Sequence, residues 1–278
     1  MIRRNIPLTD SPDKWLLLSQ VEHARVSADL AEVWGGSLAS VVCAPDSSNL
    51  HLLEVRQEML SAILHHDDGW ASWEASPPLD PEHGRPWSFM EIHRSQALPL
   101  WRDSVLRAHS IGPLAGWAVG GHFAHLLRES HEAHCELSEA WLAEVEAWRS
   151  DWLAEWRSLN RPVHTTELAE ECLQWLRLFD WFSLWLCCYC PAGQADKPCE
   201  AMTLAEGNLA CTPVTVTPDG APDEPGSWRV KVAPWCFTVD KLQLDALGYT
   251  VPAQRWSTTG EMAKSRSPMR LRWTLVPA

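Results

Sequence analysis

The spacing of the hydrophobic residues changes about two-thirds of the way along this 278-residue chain, and this change constrains the fold more than any other feature. Before residue 190, apolar side chains recur every three or four positions, as Val26 and Leu30 do, which is typical of amphipathic helices. After it, Pro and Gly turn signals separate short runs in which apolar residues alternate, such as Leu271 and Trp273. The pattern predicts a mainly α protein, a helical bundle with a small β-rich C-terminal extension.

The same spacing, with Gly and Pro as terminators, predicts the bounds of the elements. Helices are expected over residues 15–34, 50–67, 100–109, 113–129, 136–158 and 165–190, with a proline-rich loop over 76–99. Strands are expected over residues 212–217, 228–233 and 270–276. We therefore expect a helical domain over 1–190 and a β-rich extension over 191–278 that packs on it.

The charge and the apolar content exclude several classes of partner. The chain has 23 Lys and Arg against 36 Asp and Glu, a net charge of −13. This balance argues against binding to nucleic acid or to anionic lipid, which both need a basic surface.

No apolar run approaches the roughly 20 residues that span a bilayer, and the first residues lack the apolar segment of a secretory signal. Nine Cys, an odd number, are typical of free thiols in a reducing compartment. We expect a cytoplasmic protein that acts on a small molecule.

Polar side chains interrupt the apolar faces of four predicted helices. His23 and His122 lie on otherwise apolar faces, Asp180 interrupts a leucine-rich face, and His66 with Asp67 ends the second helix. Taken singly, each is more often a satisfied core residue or a solvated helix end. Together they indicate a shared site, because a buried carboxylate must be paired or bound to a metal. Imidazole and carboxylate are suitable ligands for one or two divalent transition-metal ions, Fe, Mn or Zn.

The order His…His-Asp…Asp in a helical chain resembles the HD superfamily of metal-dependent enzymes. The matching positions are His23, His66, Asp67 and Asp180, and residues 63–69 resemble the apolar-apolar-His-Asp-x-Gly signature. The chain also resembles an uncharacterised bacterial family with the sequence His-Asp-Asp-Gly-Trp. The resemblance covers about residues 12–190 and implies an HD-like helical metal-binding domain.

The superfamily resemblance implies a metal but leaves the reaction open. Hydrolases of the superfamily activate water on divalent ions, which makes hydrolysis of a small metabolite, phosphorylated or not, the first hypothesis. Dinuclear iron oxygenases of the superfamily carry two further histidines before the last Asp. The candidates here are His93, His109, His122 and His125, with His122 favoured because its face is apolar. A third hypothesis is a non-catalytic regulatory or binding module that contains a metal.

Residues next to the metal motif supply candidates for catalysis and substrate binding. Asp68 and Glu74 are candidate proton carriers. Trp70, Trp73 and Arg25 are candidate substrate contacts, although tryptophans also close hydrophobic cores. A tryptophan stripe at helical spacing indicates either core packing or a self-association face, which leaves a homodimer open: Trp141, Trp148, Trp152 and Trp156.

Overall fold

The computed structural model describes residues 1–6, 13–35, 50–130, 135–190, 202–204, 214–219 and 226–278. Its helices are α1 (Gln20–Glu32), α2 (Leu50–His65), α3 (Ala71–Ala75), α4 (Arg94–Ile111), α5 (Pro113–Arg128), α6 (Glu136–Ser158), α7 (Thr166–Leu184) and α8 (Thr259–Lys264). A 3-10 turn, Asp68–Trp70, follows α2, and a π-helical turn, Trp185–Tyr189, continues α7. In this part of the chain, no helix has both the length and the apolar character needed to cross a membrane.

Within the described residues, the strands form one seven-stranded mixed sheet in the order β1-β2-β6-β7-β5-β4-β3. They are β1 (Ile2–Ile6), β2 (Lys14–Leu18), β3 (Met202–Leu204), β4 (Val214–Pro218), β5 (Ser227–Ala233), β6 (Leu242–Pro252) and β7 (Ser267–Pro277). The pairing of β5 with β7 is parallel, and the other pairs are antiparallel.

The sheet shows that the predicted fold class, a mainly α bundle with a small C-terminal β extension, is wrong. Residues 15–18, predicted as the start of the first helix, lie in β2. This strand pairs with β1 on one side, where Ile2 faces Leu18, and with β6 on the other. A run as short as Trp15 to Leu18 fits a strand or a helix equally well by its spacing, so the long-range pairing determines its structure.

Other elements agree better with their sequence patterns. Helix α6 has the predicted bounds, and β4, β5 and β7 overlap the three predicted strands. Residues 212 and 213 of the first predicted strand lie outside the described residues. Helix α4 starts inside the predicted loop of residues 76–99. Strand β6 was not predicted, although its buried Leu242 and Leu244 alternate with exposed Gln243.

The core joins the helices to the sheet. One cluster of buried side chains includes Trp34 after α1, Phe179 in α7, Val216 in β4 and Leu271 in β7. The sheet itself takes strands from both sides of residue 190, because β2 pairs with β6. Residues 191–201, where the predicted extension begins, lie outside the described part of the chain.

The helices are packed so that the polar side chains that interrupt their apolar faces lie close together. Helix α1 packs against α2 and α7, and α5 packs against α2 and α7. The chain leaves α2 through Gly69, where a Cβ atom would lie 2.1 Å from the carbonyl oxygen of Leu100 and 2.6 Å from the amide nitrogen of Ser104. Only glycine allows this close approach, which fixes the turn that carries His66 and Asp67.

Candidate metal centre

Five side chains from separate parts of the helical layer meet in one buried cluster. His23 comes from α1, His66 and Asp67 from the turn after α2, His122 from α5, and Asp180 from α7. None of them is more than 6% exposed. The structure therefore brings together all the residues predicted as metal ligands, and we call this cluster the five-residue centre.

The donor atoms of the five-residue centre are spaced like the ligands of one ion. His23 Nε2 lies 3.1 Å from Asp180 Oδ1 and 3.5 Å from Asp67 Oδ2. His66 Nε2 lies 3.2 and 3.6 Å from the same two oxygens, and His122 Nε2 lies 3.8 Å from Asp180 Oδ2. Metal–ligand bonds of about 2.0–2.2 Å place neighbouring ligands about 2.8–3.6 Å apart in octahedral or tetrahedral sites. Four of the five separations fall in this range, and that of His122 is slightly longer.

The five donors form two overlapping groups that share His66. One group is His23, His66 and Asp67, and the other is His66, His122 and Asp180. The Nδ1 atom of His66 donates a hydrogen bond to the carbonyl oxygen of Ile63 at 2.7 Å, which leaves Nε2 as its ligand atom. Since one imidazole nitrogen binds one ion, the two groups cannot each use His66 for a separate ion. This sharing favours one ion within the described centre.

Two buried nitrogens support the fit of a cation. His23 Nε2 and His122 Nδ1 have no hydrogen-bond partner, although both side chains are buried. His23 Nε2 faces two carboxylates without hydrogen-bond geometry, as expected for an atom that coordinates a cation lying between them. Three imidazoles and two carboxylates form a nitrogen and oxygen donor set that suits Zn, Fe or Mn.

The electrostatics of the centre show how its charges balance without a cation. Burial lowers the pKa of His66, but Asp67 and Asp180 outweigh this effect and raise it to about 9. His23 behaves in the same way, and its pKa is raised above the usual value because the effect of Asp180 and Asp67 exceeds that of burial. Burial raises the pKa of Asp180, but the three histidines hold it well below its usual range. Burial dominates at His122 and lowers its pKa to about 4. Without a cation, the two carboxylates therefore favour the protonated forms of His23 and His66.

The two predicted proton carriers have other contacts. Asp68 accepts a hydrogen bond from His65 Nδ1 at 2.9 Å in a partly exposed pair. The buried carboxylate of Glu74 lies 2.6 Å from the amino nitrogen of Met1 and accepts the amide hydrogen of Gln20 at 2.8 Å. These contacts hold both carboxylates in ion pairs, and their role as proton carriers stays a prediction.

The three predicted substrate contacts are also held by their neighbours. Trp70 is buried and meets the ring of Trp73 edge-on at 5.8 Å. Trp73 packs against a satellite core cluster that includes Val251. Arg25 forms ion pairs with Glu22 at 3.0 Å and Asp29 at 2.6 Å. Packing and ion pairing thus hold these side chains in place, and their role as substrate contacts stays a prediction.

The four histidines considered for a dinuclear centre, all of which the structure describes, lie in different places. His122 joins the five-residue centre. His93 caps α4 by accepting the amide hydrogen of Ser95 at 3.2 Å, His109 stacks on Trp152 at 4.4 Å, and His125 accepts from Arg177 at 2.6 Å. The tryptophan stripe of α6 faces the core, where Trp141, Trp152 and Trp156 are buried.

The sequence analysis missed Ser27 and Ser183. Both are fully buried, and Ser183 Oγ lies 2.5 Å from His23 Nδ1. The signal was available, because Ser183 is three residues after Asp180 and therefore lies on the same face of α7.

No curated protein and no solved structure matches this chain. A family model described as "Protein of unknown function (DUF3891)" matches residues 6–253, which include all five residues of the centre. The match covers most of the chain, so the chain belongs to this family of proteins of unknown function.

Proposed function

We propose that this protein is a metal-dependent hydrolase of the HD-superfamily kind that binds one divalent transition-metal ion and acts on a small metabolite. The observation that carries the proposal is the spacing of the donors: two imidazole nitrogens lie 3.1 and 3.2 Å from one oxygen of Asp180. Asp67 Oδ2 lies 3.5 and 3.6 Å from the same nitrogens. These four residues are the ones on which the resemblance to the HD superfamily rests.

The donor set favours Zn, Mn or Fe over Mg and Ca, because three imidazoles are unsuited to cations that prefer oxygen. The ion would lower the pKa of a bound water and so supply a nucleophile at neutral pH. His23, His66, Asp67 and Asp180, all of them buried, would hold it.

His122 has a different role in the proposal. Its Nε2 is farthest from the shared aspartate, at 3.8 Å, and its Nδ1 has no hydrogen-bond partner. Metal-ligating histidines usually donate this second N–H to a fixed acceptor. We therefore assign His122 as the weakest ligand of the five-residue centre.

Two observations favour hydrolysis at one ion over a dinuclear iron oxygenase. The two ligand groups share His66 Nε2, and three of the four additional histidine candidates have structural contacts elsewhere. Cys187, Cys188 and Cys236 are free thiols, so we place this activity in a reducing cytoplasm.

A non-catalytic metal module is the second candidate. The burial of all five side chains favours it, because a structural metal site is closed, whereas a catalytic one keeps an open position. Turnover distinguishes the two functions, since both need the metal.

The test is a hydrolysis assay on protein loaded with Mn²⁺, Fe²⁺ or Zn²⁺. Substrates should include phosphomonoesters, phosphodiesters and nucleotides, with carboxylic esters and amides as the non-phosphorylated set. We expect metal-dependent hydrolysis of one class that Asp180→Asn abolishes and Asp103→Asn retains, because Asp103 pairs with Arg107 in an exposed position on α4. Tight metal binding without turnover of any class would support the structural module, and hydrolysis that survives Asp180→Asn would refute the assignment of the site.

A further inference from the structure

We infer that Ser183 is a positioning residue of the five-residue centre, which holds the His23 ring with its Nε2 atom toward the metal. This inference rests on the proposed metal centre and adds a residue to it that touches no ion and no substrate.

The geometry that carries the inference is a buried hydroxyl network. Ser183 is fully buried on α7, and its Oγ lies 2.5 Å from His23 Nδ1. The same oxygen lies 2.6 Å from Ser27 Oγ and 3.0 Å from the backbone carbonyl oxygen of Asp180. Ser183 therefore links the ring on α1 to the helix that supplies the shared carboxylate.

Counting the protons orients this network. A serine hydroxyl has one hydrogen to donate and two lone pairs to accept with. The carbonyl oxygen of Asp180 only accepts, so Ser183 donates to it and accepts from His23 Nδ1–H. Its second lone pair accepts from Ser27, whose one hydrogen points to this closer oxygen at 2.6 Å and not to the carbonyl oxygen of His23 at 3.3 Å. This orientation satisfies all three contacts. It keeps the proton of His23 on Nδ1 and leaves the lone pair of Nε2 for the metal.

The other two histidines of the centre are held differently. His66 Nδ1 donates to the backbone carbonyl oxygen of Ile63 at 2.7 Å, and His122 Nδ1 has no partner. Among these three rings, only that of His23 has its Nδ1 atom hydrogen-bonded to a side chain. The Ser183 hydroxyl can therefore be removed without changing any ligand.

The test compares two buried hydroxyls. Ser183→Ala removes the partner of the ring, while Ser27→Ala removes an equally buried hydroxyl that contacts Ser183 but not the ring nitrogen. The dissociation constant for Zn²⁺, measured by competition with a chromophoric chelator, should rise about 10- to 100-fold in Ser183→Ala. It should change by less than about threefold in Ser27→Ala, since the Ser27 hydroxyl does not bond the His23 ring and residues that support a ligand act through that bond. Ser183→Thr keeps the hydroxyl and should restore most of the affinity.

Melting temperatures of the metal-free variants separate positioning from a general loss of stability. We expect Ser183→Ala and Ser27→Ala to lower the melting temperature of the metal-free protein by similar amounts, while only Ser183→Ala weakens Zn²⁺ binding. Equal affinity in wild type and Ser183→Ala, or equal weakening by Ser27→Ala, would overturn the inference. In both cases the metal centre itself would stand. A wild-type protein that binds no Zn²⁺ would instead refute the proposed function, and the inference with it.

Nitrogen-15 NMR of the zinc-loaded wild-type protein shows which nitrogen of His23 carries the proton, without the need for a variant. His23 should show a protonated Nδ1 whose hydrogen is protected from exchange by Ser183. A deprotonated Nδ1 at His23 would overturn the inference even if Ser183→Ala failed to fold.

Discussion

His23 Nε2 lies 3.1 Å from Oδ1 of Asp180, although the two residues belong to α1 and α7, the first and the last long helices of the helical layer. Neither side chain is more than 6% exposed. An imidazole and a carboxylate that are brought together at this depth are costly to bury unless they are paired or ligate a metal.

Asp67→Asn should abolish tight metal binding and retain the fold. Asparagine has almost the same shape, but its neutral side chain removes an anion that lies 3.5 Å from His23 Nε2 and 3.6 Å from His66 Nε2. We expect affinity for Mn²⁺ to fall at least about 100-fold. An Mn²⁺ concentration just sufficient to saturate the wild-type protein should then no longer raise the melting temperature of the variant. Asp68→Asn is the matched control, because the neighbouring carboxylate pairs with His65. An equal rise of the melting temperature in wild type and Asp67→Asn would remove Asp67 from the ligand set.

Metal binding should become tighter as the pH rises toward 9. The pKa of His66 in the metal-free fold is about 9, since Asp67 and Asp180 outweigh the effect of burial, so at pH 7 a metal ion must displace its proton. Titrations at pH 6.5, 7.5 and 8.5 should show increasing affinity and the release of at least about one proton per ion. An affinity that stays constant from pH 6.5 to 8.5 contradicts this account.

The same pKa shift predicts how stability depends on pH in the metal-free protein. The folded-state pKa of His66 lies above its unfolded value of 6.5, so its charge contributes stability that is fully present below pH 6.5 and is lost as pH rises through about 9. The melting temperature of the metal-free protein should therefore fall between pH 7 and 9.5. Metal-loaded protein should show a smaller fall, because the ion replaces the proton. An equal fall in both forms would argue against His66 as a ligand.

His122→Ala and His125→Ala should separate the two neighbouring histidines of α5. His122 joins the centre at 3.8 Å from Asp180, whereas His125 contacts Arg177. We expect His122→Ala to weaken metal binding at least about 10-fold, since losing a ligand should cost no less than losing a residue that supports one, and His125→Ala to leave it unchanged. The measurement is the dissociation constant for Mn²⁺. A larger loss in His125→Ala than in His122→Ala would reverse this assignment.

Gly69→Ala should disrupt the turn that carries His66 and Asp67. The added Cβ would lie 2.1 Å from the carbonyl oxygen of Leu100 in α4, and backbone atoms cannot move aside as a flexible side chain does. We expect a loss of about 2–3 kcal/mol in the free energy of unfolding, in the range of overpacked interiors, together with weaker metal binding. Gly260→Ala in α8 is the control, because its Cβ would meet only Thr258 Oγ1 at 4.0 Å. Urea denaturation measures the free energy of unfolding of both variants. An equal loss in both would show that the close approach at Gly69 does not require glycine.

The site was easier to predict from the sequence than the fold. Helical periodicity shows which residues face inward, so a polar residue on an apolar face, such as Asp180, can be predicted to be buried. The structure places all five predicted ligands together for this reason. Glu74 lies close to Asp67 in the sequence, but its carboxylate pairs with the Met1 amino group. Local spacing does not reveal such a contact between distant residues.

The sheet escaped prediction for a different physical reason. Strand β2 has only five residues, and its partners are β1 and the distant β6. Strand propensity depends strongly on such neighbours, which local spacing does not reveal. Helix α6, with 23 residues and a regular pattern, carries its own signal and has the predicted bounds.

The central claim is that five residues of this chain hold one transition-metal ion through nitrogen and oxygen donors. X-ray absorption at the metal edge, combined with metal analysis of protein purified without added metal, tests it most directly. We predict one ion per chain, nitrogen and oxygen ligands at about 2.0–2.2 Å, an imidazole outer-shell signal, and no sulfur ligand at about 2.3 Å. An absent ion, or an ion bound by sulfur, would contradict the account.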